Sequence, residues 1–510
     1  MSSADDPWSL FADDDDDLSA APLSHAAVAA ASAAAFDRAR TQTMVSALCA
    51  FCARHAPTIV ADLSATTGAD AEAGSRVASD IDALARTVPE LEAASRRSIA
   101  GVGAPDGGSS AQWHELGVSA SRAHDIALAR LRAPGGWPSV AWREAFVLSL
   151  LCTCARALCA NADARAAMCA MDTALIMGAP RRAVAALLEP TEAAARRAAP
   201  PRDALGLIPA LLSASASVAI PECGIRGRAI QRRLAVAAPA DVGVSVGAPV
   251  EHARLRELRA PDDPTAQPAD AGAVRALLAA SSPAVLCGAL VGWPALRKWR
   301  DLDWWARAVG HRTVPVEIGQ HLGGDAAVWR EEPLELGDFM RDYVAVSARE
   351  WGVAREAASA PIAYLAQHGL FEQIPSLASD FGVPAVLDAA AVGSTNAWIG
   401  TAGTVTRAHF DSYDNLLCQV VGYKFVRLFA PSDGEFLYAI GKKEGGSGTT
   451  AQGNVSAVDV EAPDYAAFPL FANATPFDAV IGPGDSLLIP RGWWHYVRSL
   501  TVSVSINFWS

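Results

Sequence analysis

The chain has 510 residues, which is long for one hydrophobic core; at about 150 residues per domain the length allows two or three domains, and we expect two. Its 51% hydrophobic and 19% charged residues are typical of a globular protein and argue against extended disorder. The formal net charge of −13 opposes binding to nucleic acid phosphates. We therefore expect a basic protein or peptide as partner and no direct nucleic-acid binding.

The chain lacks the features of a membrane or secreted protein. No uninterrupted apolar run of about 18 residues occurs, and the first residues lack the basic and apolar regions of a signal peptide. The nine cysteines lie mostly within apolar helical stretches, which predicts reduced thiols in a nuclear or cytoplasmic protein without a membrane span. Cys49 and Cys52 have the spacing of a metal or redox motif, but without a second pair nearby we favour core packing.

The first half of the chain changes character twice. An acidic run at 13–17 predicts a flexible acidic arm over residues 1–23. Residues 24–220 are rich in Ala, Leu and Arg, with apolar residues every three to four positions, which predicts an all-α helical domain. Residues 221–270 hold the basic cluster 226–233 and a Pro-rich segment, which predicts a linker. The cluster is compatible with a nuclear import signal or with a solvated linker.

From residue 271 to 510 short β-rich runs alternate with Gly, Pro and Asp turns. Many short strands of this kind predict a jelly roll or barrel, with helices at 302–309 and 336–343 on its outside. The predicted fold class is therefore α+β, an N-terminal all-α helical domain followed by a jelly roll. The predicted strands are 284–287, 313–318, 395–399, 415–421, 424–430, 478–481, 485–489 and 494–508.

The stretch from Arg407 to Phe429 places titratable groups among strand-forming residues. In an extended strand, His409 and Asp411 point to the same face, about 6.6 Å apart along the chain. Such a pair can bind one metal ion, and His495 supplies a third ligand from a later strand. Two histidines and one carboxylate form the facial triad of non-haem Fe(II) oxygenases, which leaves coordination positions open.

Lys424 follows the turn at Gly422 and lies among aromatic and apolar residues. A lysine directed into a barrel needs an anion, and the far carboxylate of a metal-chelating keto diacid fits, with hydrogen bonds from Thr406 and Asn415.

Taken singly, these features have simpler interpretations. A His-x-Asp pair is more often a surface pair than a set of ligands. His495 would equally suit a hydrogen-bonded core histidine among aromatic side chains. The four groups together, in one predicted barrel, favour a metal site.

From about residue 248 to the C-terminus, several stretches resemble the JmjC family of 2-oxoglutarate oxygenases and follow one another in the same order as in that family. They are 312–319, 364–375, 396–404, 407–429, 488–498 and 503–510. The resemblance implies a JmjC catalytic domain at 271–510, with the double-stranded β-helix (jelly-roll or cupin) fold and decorating helices.

The resemblance also implies the bound groups. Fe(II) would be bound by His409, Asp411 and His495, with O2 and 2-oxoglutarate as co-substrates. 2-Oxoglutarate would be held by Lys424 and Asn415, with help from Thr406, Tyr364 and Trp509.

On the substrate side, Glu317 and Trp398 match positions that face the substrate side chain. A carboxylate beside an aromatic plane suits a guanidinium group, so we expect hydroxylation of an arginine in a protein substrate. For Glu317, an exposed strand carboxylate is an equal alternative. An N-methyl-lysine (histone) demethylase with the same iron site and a non-catalytic JmjC scaffold are the alternative functions.

The chain departs from the family pattern in two places near the expected substrate. Family members commonly carry a proline shortly after the metal-binding aspartate, whereas this chain continues Asp411-Ser-Tyr-Asp-Asn. The Gly-rich loop at 441–453 is longer. Both differences affect the rim of the expected site and leave the three metal ligands intact.

Overall fold

The computed structural model describes residues 33–66, 70–99, 110–132, 139–161, 163–198, 205–208, 225, 228–230, 233–235, 271–319, 330–350, 361–440 and 453–510. The acidic arm predicted at 1–23 and nearly all of the loop at 441–453 lie outside the described residues, as does half of the basic cluster at 226–233. The chain divides into two compact units: Met1–Pro201 with His311–Val314, and Arg202–Gly310 with Pro315–Ser510.

The first unit consists of helices in the part that the structure describes, and each packs against the next along the chain. Alanine, leucine and arginine favour helix because they lose little conformational freedom there. The helices are α1 Ala33–Ser64, α2 Ala71–Ile99, α3 Ser110–Arg132, α4 Val140–Cys159, α5 Ala164–Ile176 and α6 Arg181–Ala198. Helix α1 also packs against α4 and α6, which closes the array into a bundle.

The core of this bundle explains two features of the sequence. Cys52 is buried among apolar side chains, and among the described residues no cysteine belongs to a group that could hold a metal ion. The stretch Gln42–Ser64 is long and apolar enough to cross a membrane by length and composition alone. It contributes Met44, Leu48 and Ile59 to the helical core, which accounts for its apolar character.

Two β-sheets dominate the second unit. The strands are β1 Arg228–Ala229, β2 Arg233–Ala235, β3 Ala284–Cys287, β4 Thr313–Ile318, β5 Arg330–Glu335, β6 Ala363–His368, β7 Ser394–Gly400, β8 Val405–His409, β9 Asn415–Val421, β10 Lys424–Phe429, β11 Phe477–Ile481, β12 Ser486–Ile489, β13 Trp494–Ser499 and β14 Ser503–Trp509. One sheet has the order β1-β11-β10-β13-β8, and the other has the order β2-β3-β12-β9-β14-β7-β6-β4-β5.

The two sheets share one apolar core. Val426 and Leu428 of β10 pack with Leu417 of β9 and Leu487 of β12, so side chains from both sheets meet. The neighbouring strands with a described register pair antiparallel, apart from β1 with β11 and β2 with β3. The predicted α+β class, with a helical region before an antiparallel jelly roll, is confirmed.

Short helices decorate the second unit. They are α7 Ala271–Ala279, α8 Ala295–Lys298, α9 Leu302–Ala308, α10 Leu336–Phe339, α11 Ala345–Arg349 and α12 Leu370–Gln373, with a π-helical turn Met340–Val344 between α10 and α11. Asp301 caps α9, because its side chain accepts hydrogen bonds from the backbone N–H groups of Asp303 and Trp304 at 2.9 and 3.1 Å.

The turn between β9 and β10 depends on glycine. Gly422 has φ of 74°, and a Cβ atom there would lie 1.8 Å from the carbonyl oxygen of Val502. Only a residue without a side chain fits this position. Strand β10 begins two residues after Gly422, at Lys424.

Two sequence expectations differ from the structure. The run predicted as one strand at 494–508 is two strands, β13 and β14, which lie in different sheets. The three residues between them, Leu500, Thr501 and Val502, are ones that strands also tolerate. Within the segment 221–270, predicted as a linker, β1 and β2 add to the edges of the two sheets through backbone pairing, for which the side-chain pattern gives no signal.

Candidate metal centre

Two histidines meet across neighbouring strands. His409 is the last residue of β8, and it pairs directly with His495 of the antiparallel strand β13. Directly opposed residues on adjacent strands have side chains on the same face. The two imidazole ring centroids are therefore only 4.1 Å apart.

Asp411 reaches the same point by a different route from the one predicted. Strand β8 ends at His409, so Asp411 does not lie in the same strand as His409. The chain leaves the sheet, and the carbonyl of Asp411 accepts a hydrogen bond from the N–H of Gly492 at 2.9 Å. This bond ties the segment to the turn that precedes β13.

The orientation of both imidazole rings is set by the backbone. Nδ1 of His409 lies 2.8 Å from the carbonyl oxygen of Arg407, and Nδ1 of His495 lies 3.1 Å from that of Trp493. A carbonyl oxygen only accepts hydrogen bonds, so each Nδ1 carries the proton. Each Nε2 then carries no proton and has a lone pair available, and this tautomer of imidazole is the one that binds a metal.

The three side chains fit a metal ion. Nε2 of His409 lies 3.8 Å from Oδ1 of Asp411, and Nε2 of His495 lies 3.6 Å from Oδ2. All three ligand atoms lie within 4.8 Å of one another, and no other such group occurs among the described residues. Burial lowers the pKa of His495 well below its usual value and raises the pKa of Asp411, although His409 partly opposes the rise. A divalent cation would offset this cost of burying a carboxylate.

The three candidate ligands line a cavity between the two sheets. Nine of the ten residues predicted for the site line it; the exception is Glu317. Four others were not predicted. The predicted ones are Tyr364, Trp398, Thr406, His409, Asp411, Asn415, Lys424, His495 and Trp509, and the additional ones are Leu417, Ile489, Val497 and Asn507.

Lys424 lies across the cavity from the ligands and is 1% exposed. Its Nζ donates a hydrogen bond to the hydroxyl of Tyr364 at 3.3 Å and lies 5.9 Å from the ring centroid of Trp398. Among the described residues no carboxylate forms a salt bridge with it. Burial lowers the pKa of Lys424 to about 7. The site therefore offers a buried amine suited to an anion.

Asn507 of β14 links side chains of the two strands that flank it, β7 and β9. Its Oδ1 accepts a hydrogen bond from Nε1 of Trp398 at 2.8 Å, and its Nδ2 donates to Oδ1 of Asn415 at 3.3 Å. The amide N–H2 of Asn415 is left as a donor. Asn507 was missed from the sequence, although it lies two residues before Trp509 on the same face of a strand, which is the signal that would have identified it.

Glu317 lies beside the cavity and not in its wall. It is half-buried on β4 and pairs in register with Tyr364 on β6. Burial raises the pKa of the Tyr364 hydroxyl, and the negative charge of Glu317 raises it further, whereas a hydrogen bond with Thr406 opposes the rise. Glu317 is thus neither fully exposed nor part of the cavity wall, and its contact with substrate stays a prediction.

Comparison with known proteins agrees with this architecture. Residues 270–509 match the cupin-like domain family. The chain is 37% identical over 235 residues to Jumonji C domain-containing protein 5 of Drosophila melanogaster and 36% identical over 239 residues to lysine-specific demethylase 8 of Xenopus tropicalis. These matches cover 45% and 46% of this chain, and 55% and 48% of the relatives.

The chain thus spans about half the length of these two curated relatives. A third relative, tRNA wybutosine-synthesizing protein 5 of Gallus gallus, is 30% identical over 241 residues, which are 44% of this chain and 70% of the relative. The resemblance inferred from the motifs is confirmed. The chain belongs to the cupin-like JmjC family.

Proposed function

We propose that this protein is an Fe(II)- and 2-oxoglutarate-dependent dioxygenase that hydroxylates an arginine side chain of a basic protein. The observation that carries the proposal is that His409, Asp411 and His495 converge in the same cavity as the buried Lys424. Fe(II) held by this triad, with 2-oxoglutarate and O2, would supply oxidation of a C–H bond coupled to release of succinate and CO2.

The side chains of the cavity would bind and orient the co-substrate. Lys424 would pair with the far carboxylate of 2-oxoglutarate, and the Tyr364 hydroxyl, 3.3 Å from Nζ, would fix the direction of the amine. Asn415 would donate its amide hydrogen to the same molecule, because Asn507 already occupies its oxygen. Thr406, which bonds to Tyr364, and Trp509 would complete the wall.

The apolar part of the cavity would keep water from the reacting groups. Three buried aliphatic side chains line it: Leu417, Ile489 and Val497. They have no hydrogen-bonding groups that could hold a water molecule there. A dry cavity strengthens the electrostatic interactions of Lys424 and of the metal ligands.

The preference for arginine rests on Glu317 and Trp398. The indole ring of Trp398 lines the cavity, and its Nε1 is fixed by Asn507. The carboxylate of Glu317 lies on β4, which is separated from the strand of Trp398 by β6, and Tyr364 of β6 pairs in register with Glu317. A guanidinium group pairs with carboxylates and stacks on aromatic rings, which an ammonium group does less well.

A second candidate function is demethylation of N-methyl-lysine, which the name of the Xenopus relative favours. The same metal site would oxidise the N-methyl group, and formaldehyde would leave. Mass spectrometry of a treated substrate separates the two, because hydroxylation adds one oxygen atom and demethylation removes a methyl group. The name of the Gallus relative points to tRNA, but the net charge of −13 opposes RNA binding.

The test begins with binding. Anaerobic calorimetry with Fe(II) and 2-oxoglutarate should give saturable binding of both, and absence of either would favour the non-catalytic scaffold. Incubation of the loaded protein with arginine-containing and N-methyl-lysine-containing peptides, followed by mass spectrometry, then identifies the modified residue. His409→Ala is the control, and full activity in this variant would refute the metal assignment.

A further inference from the structure

An exposed tyrosine stands at the edge of the cavity. The side chain of Tyr413 is 55% exposed, and its ring stacks on that of Trp509 with centroids 5.6 Å apart and planes 20° from parallel. We call Tyr413 and Trp509 the aromatic rim. Trp509 lines the cavity, whereas Tyr413 does not, so the rim runs from the cavity wall to solvent.

The backbone holds the aromatic rim in place. Asp414 and Ser510 exchange two backbone hydrogen bonds, at 3.1 and 3.0 Å. The side chain of Asp414 accepts a hydrogen bond from the N–H of Arg491 at 2.8 Å. The residue after Tyr413 is therefore tied both to the residue after Trp509 and to the turn before β13. A ring fixed in this way binds a partner with little further loss of conformational entropy.

The position of Tyr413 in the chain determines what it can touch. It lies midway between Asp411 and Asn415, which both line the cavity. This segment therefore borders the cavity on both sides of Tyr413, and a substrate side chain that reached Asp411 would pass beside it. Because Tyr413 is outside the cavity wall and largely exposed, it faces the part of the substrate that stays outside.

The chemistry of the aromatic rim favours a cation. The free face of an aromatic ring attracts guanidinium groups, which are planar and weakly hydrated. The exposed side chain of Arg491, whose backbone is bonded to Asp414, is balanced by the same Asp414, whose Oδ2 lies 3.4 Å from Nη2. The net charge of −13 also favours a basic peptide.

We propose that Tyr413 is a specificity-determining residue that stacks on a second arginine of the substrate, next to the residue that enters the cavity. The proposal rests on the proposed function and deepens it, because it defines the substrate as a peptide with two nearby basic residues. Tyr413 lies in the segment where the sequence departs from the family pattern, so the preference would be a property of this chain.

Peptide binding provides the test. The probes are synthetic peptides with a central arginine and a second arginine one or two residues to either side. Matched peptides carry citrulline, which is planar and uncharged, or norleucine at the second position. Fluorescence anisotropy measures their binding to the full chain loaded with a redox-inert divalent metal and an inert 2-oxoglutarate analogue.

We expect the wild-type protein to bind the best two-arginine peptide about 3- to 10-fold more tightly than its citrulline and norleucine counterparts. Tyr413→Ala should abolish this preference, and Tyr413→Phe should retain it because the ring remains. The matched control is Tyr465→Ala, which removes another exposed tyrosine, 40% exposed and outside the cavity wall, and should leave the preference unchanged.

Two results of the peptide titrations would overturn the proposal: no preference in the wild-type protein, or the wild-type preference in Tyr413→Ala. Affinity for 2-oxoglutarate is measured in parallel by calorimetry. If the wild-type protein binds 2-oxoglutarate but shows no arginine preference, only the role of Tyr413 fails. If it binds neither metal nor 2-oxoglutarate, the proposed function itself fails. A loss of 2-oxoglutarate binding in both Tyr413 variants would mean a structural role and would also overturn the proposal.

Discussion

The affinity for 2-oxoglutarate should depend on pH through Lys424. Burial lowers the pKa of this amine to about 7 in the ligand-free protein, and its nearest polar neighbour is the uncharged hydroxyl of Tyr364. A carboxylate placed against Nζ favours the charged amine and raises its pKa. The complex therefore holds more protons than the free protein above pH 7, so binding takes up a proton there and weakens as the pH rises.

The magnitude follows from the pKa of the free protein. One pH unit above it, about 90% of the Lys424 side chains are neutral, so the Kd should rise about tenfold per unit until the pH reaches the pKa of the complex. Below the pKa of the free protein the amine is charged in both states, and its contribution to the Kd is constant. Lys424→Met keeps the side-chain length without the charge. It should remove the pH dependence and weaken binding about 10- to 100-fold at low pH, the value of a charge-assisted hydrogen bond.

Calorimetry in buffers of different ionisation enthalpy measures both the Kd and the protons taken up. The titrations should run from about one unit below to two units above the pKa, with the same redox-inert metal present throughout. A wild-type Kd that stays constant with pH, without proton uptake, would refute the reasoning. The same pH dependence in Lys424→Met would assign the effect to another group.

Three further substitutions test the site and its frame. His409→Ala should weaken divalent-metal binding at least about tenfold in calorimetry while the helical signal in circular dichroism is retained, and unchanged metal affinity would contradict the assignment. Gly422→Ala should lower the free energy of unfolding by about 1–3 kcal/mol in urea denaturation, because φ is 74° and the Val502 carbonyl occupies the space of the Cβ; an unchanged midpoint would show that the turn adapts. Arg427→Met removes the charged partner of Asp478, which is fully buried and 2.7 Å away, and should lower the free energy of unfolding by about 3–5 kcal/mol. Adding Asp478→Leu should restore most of this loss, and an additive loss in the double variant would contradict the reasoning.

The ligand set was predictable from the sequence because its chemistry is local. His409, His495 and Lys424 are polar groups in apolar β-rich runs, where each needs a partner, and a His-x-Asp pair keeps its members close in any extended segment. The way in which Asp411 approaches was not predictable. Its placement depends on a backbone hydrogen bond from Gly492, some 80 residues later in the chain, and such a bond leaves no trace in the pattern of side chains.

Strand boundaries were harder to predict than strands. Strand β5, Arg330–Glu335, is charged and contains Pro333, and it lies at the edge of its sheet, where neither property is costly. Strands β13 and β14 looked continuous because Thr501 and Val502, in the turn between them, are β-branched residues that are also common in strands. Asn507 was missed since a single asparagine within an apolar run has no pattern of its own.

The acceptors for the Nδ1 atoms of His409 and His495 are main-chain carbonyl groups, each two residues earlier. Substitution of Arg407 or Trp493 therefore leaves the acceptor in place, provided that the local backbone is retained. The tautomer of both imidazoles is thus robust to mutation at these neighbours. Evolutionary drift in the surrounding side chains can alter what enters the pocket without altering which nitrogen atoms are presented there.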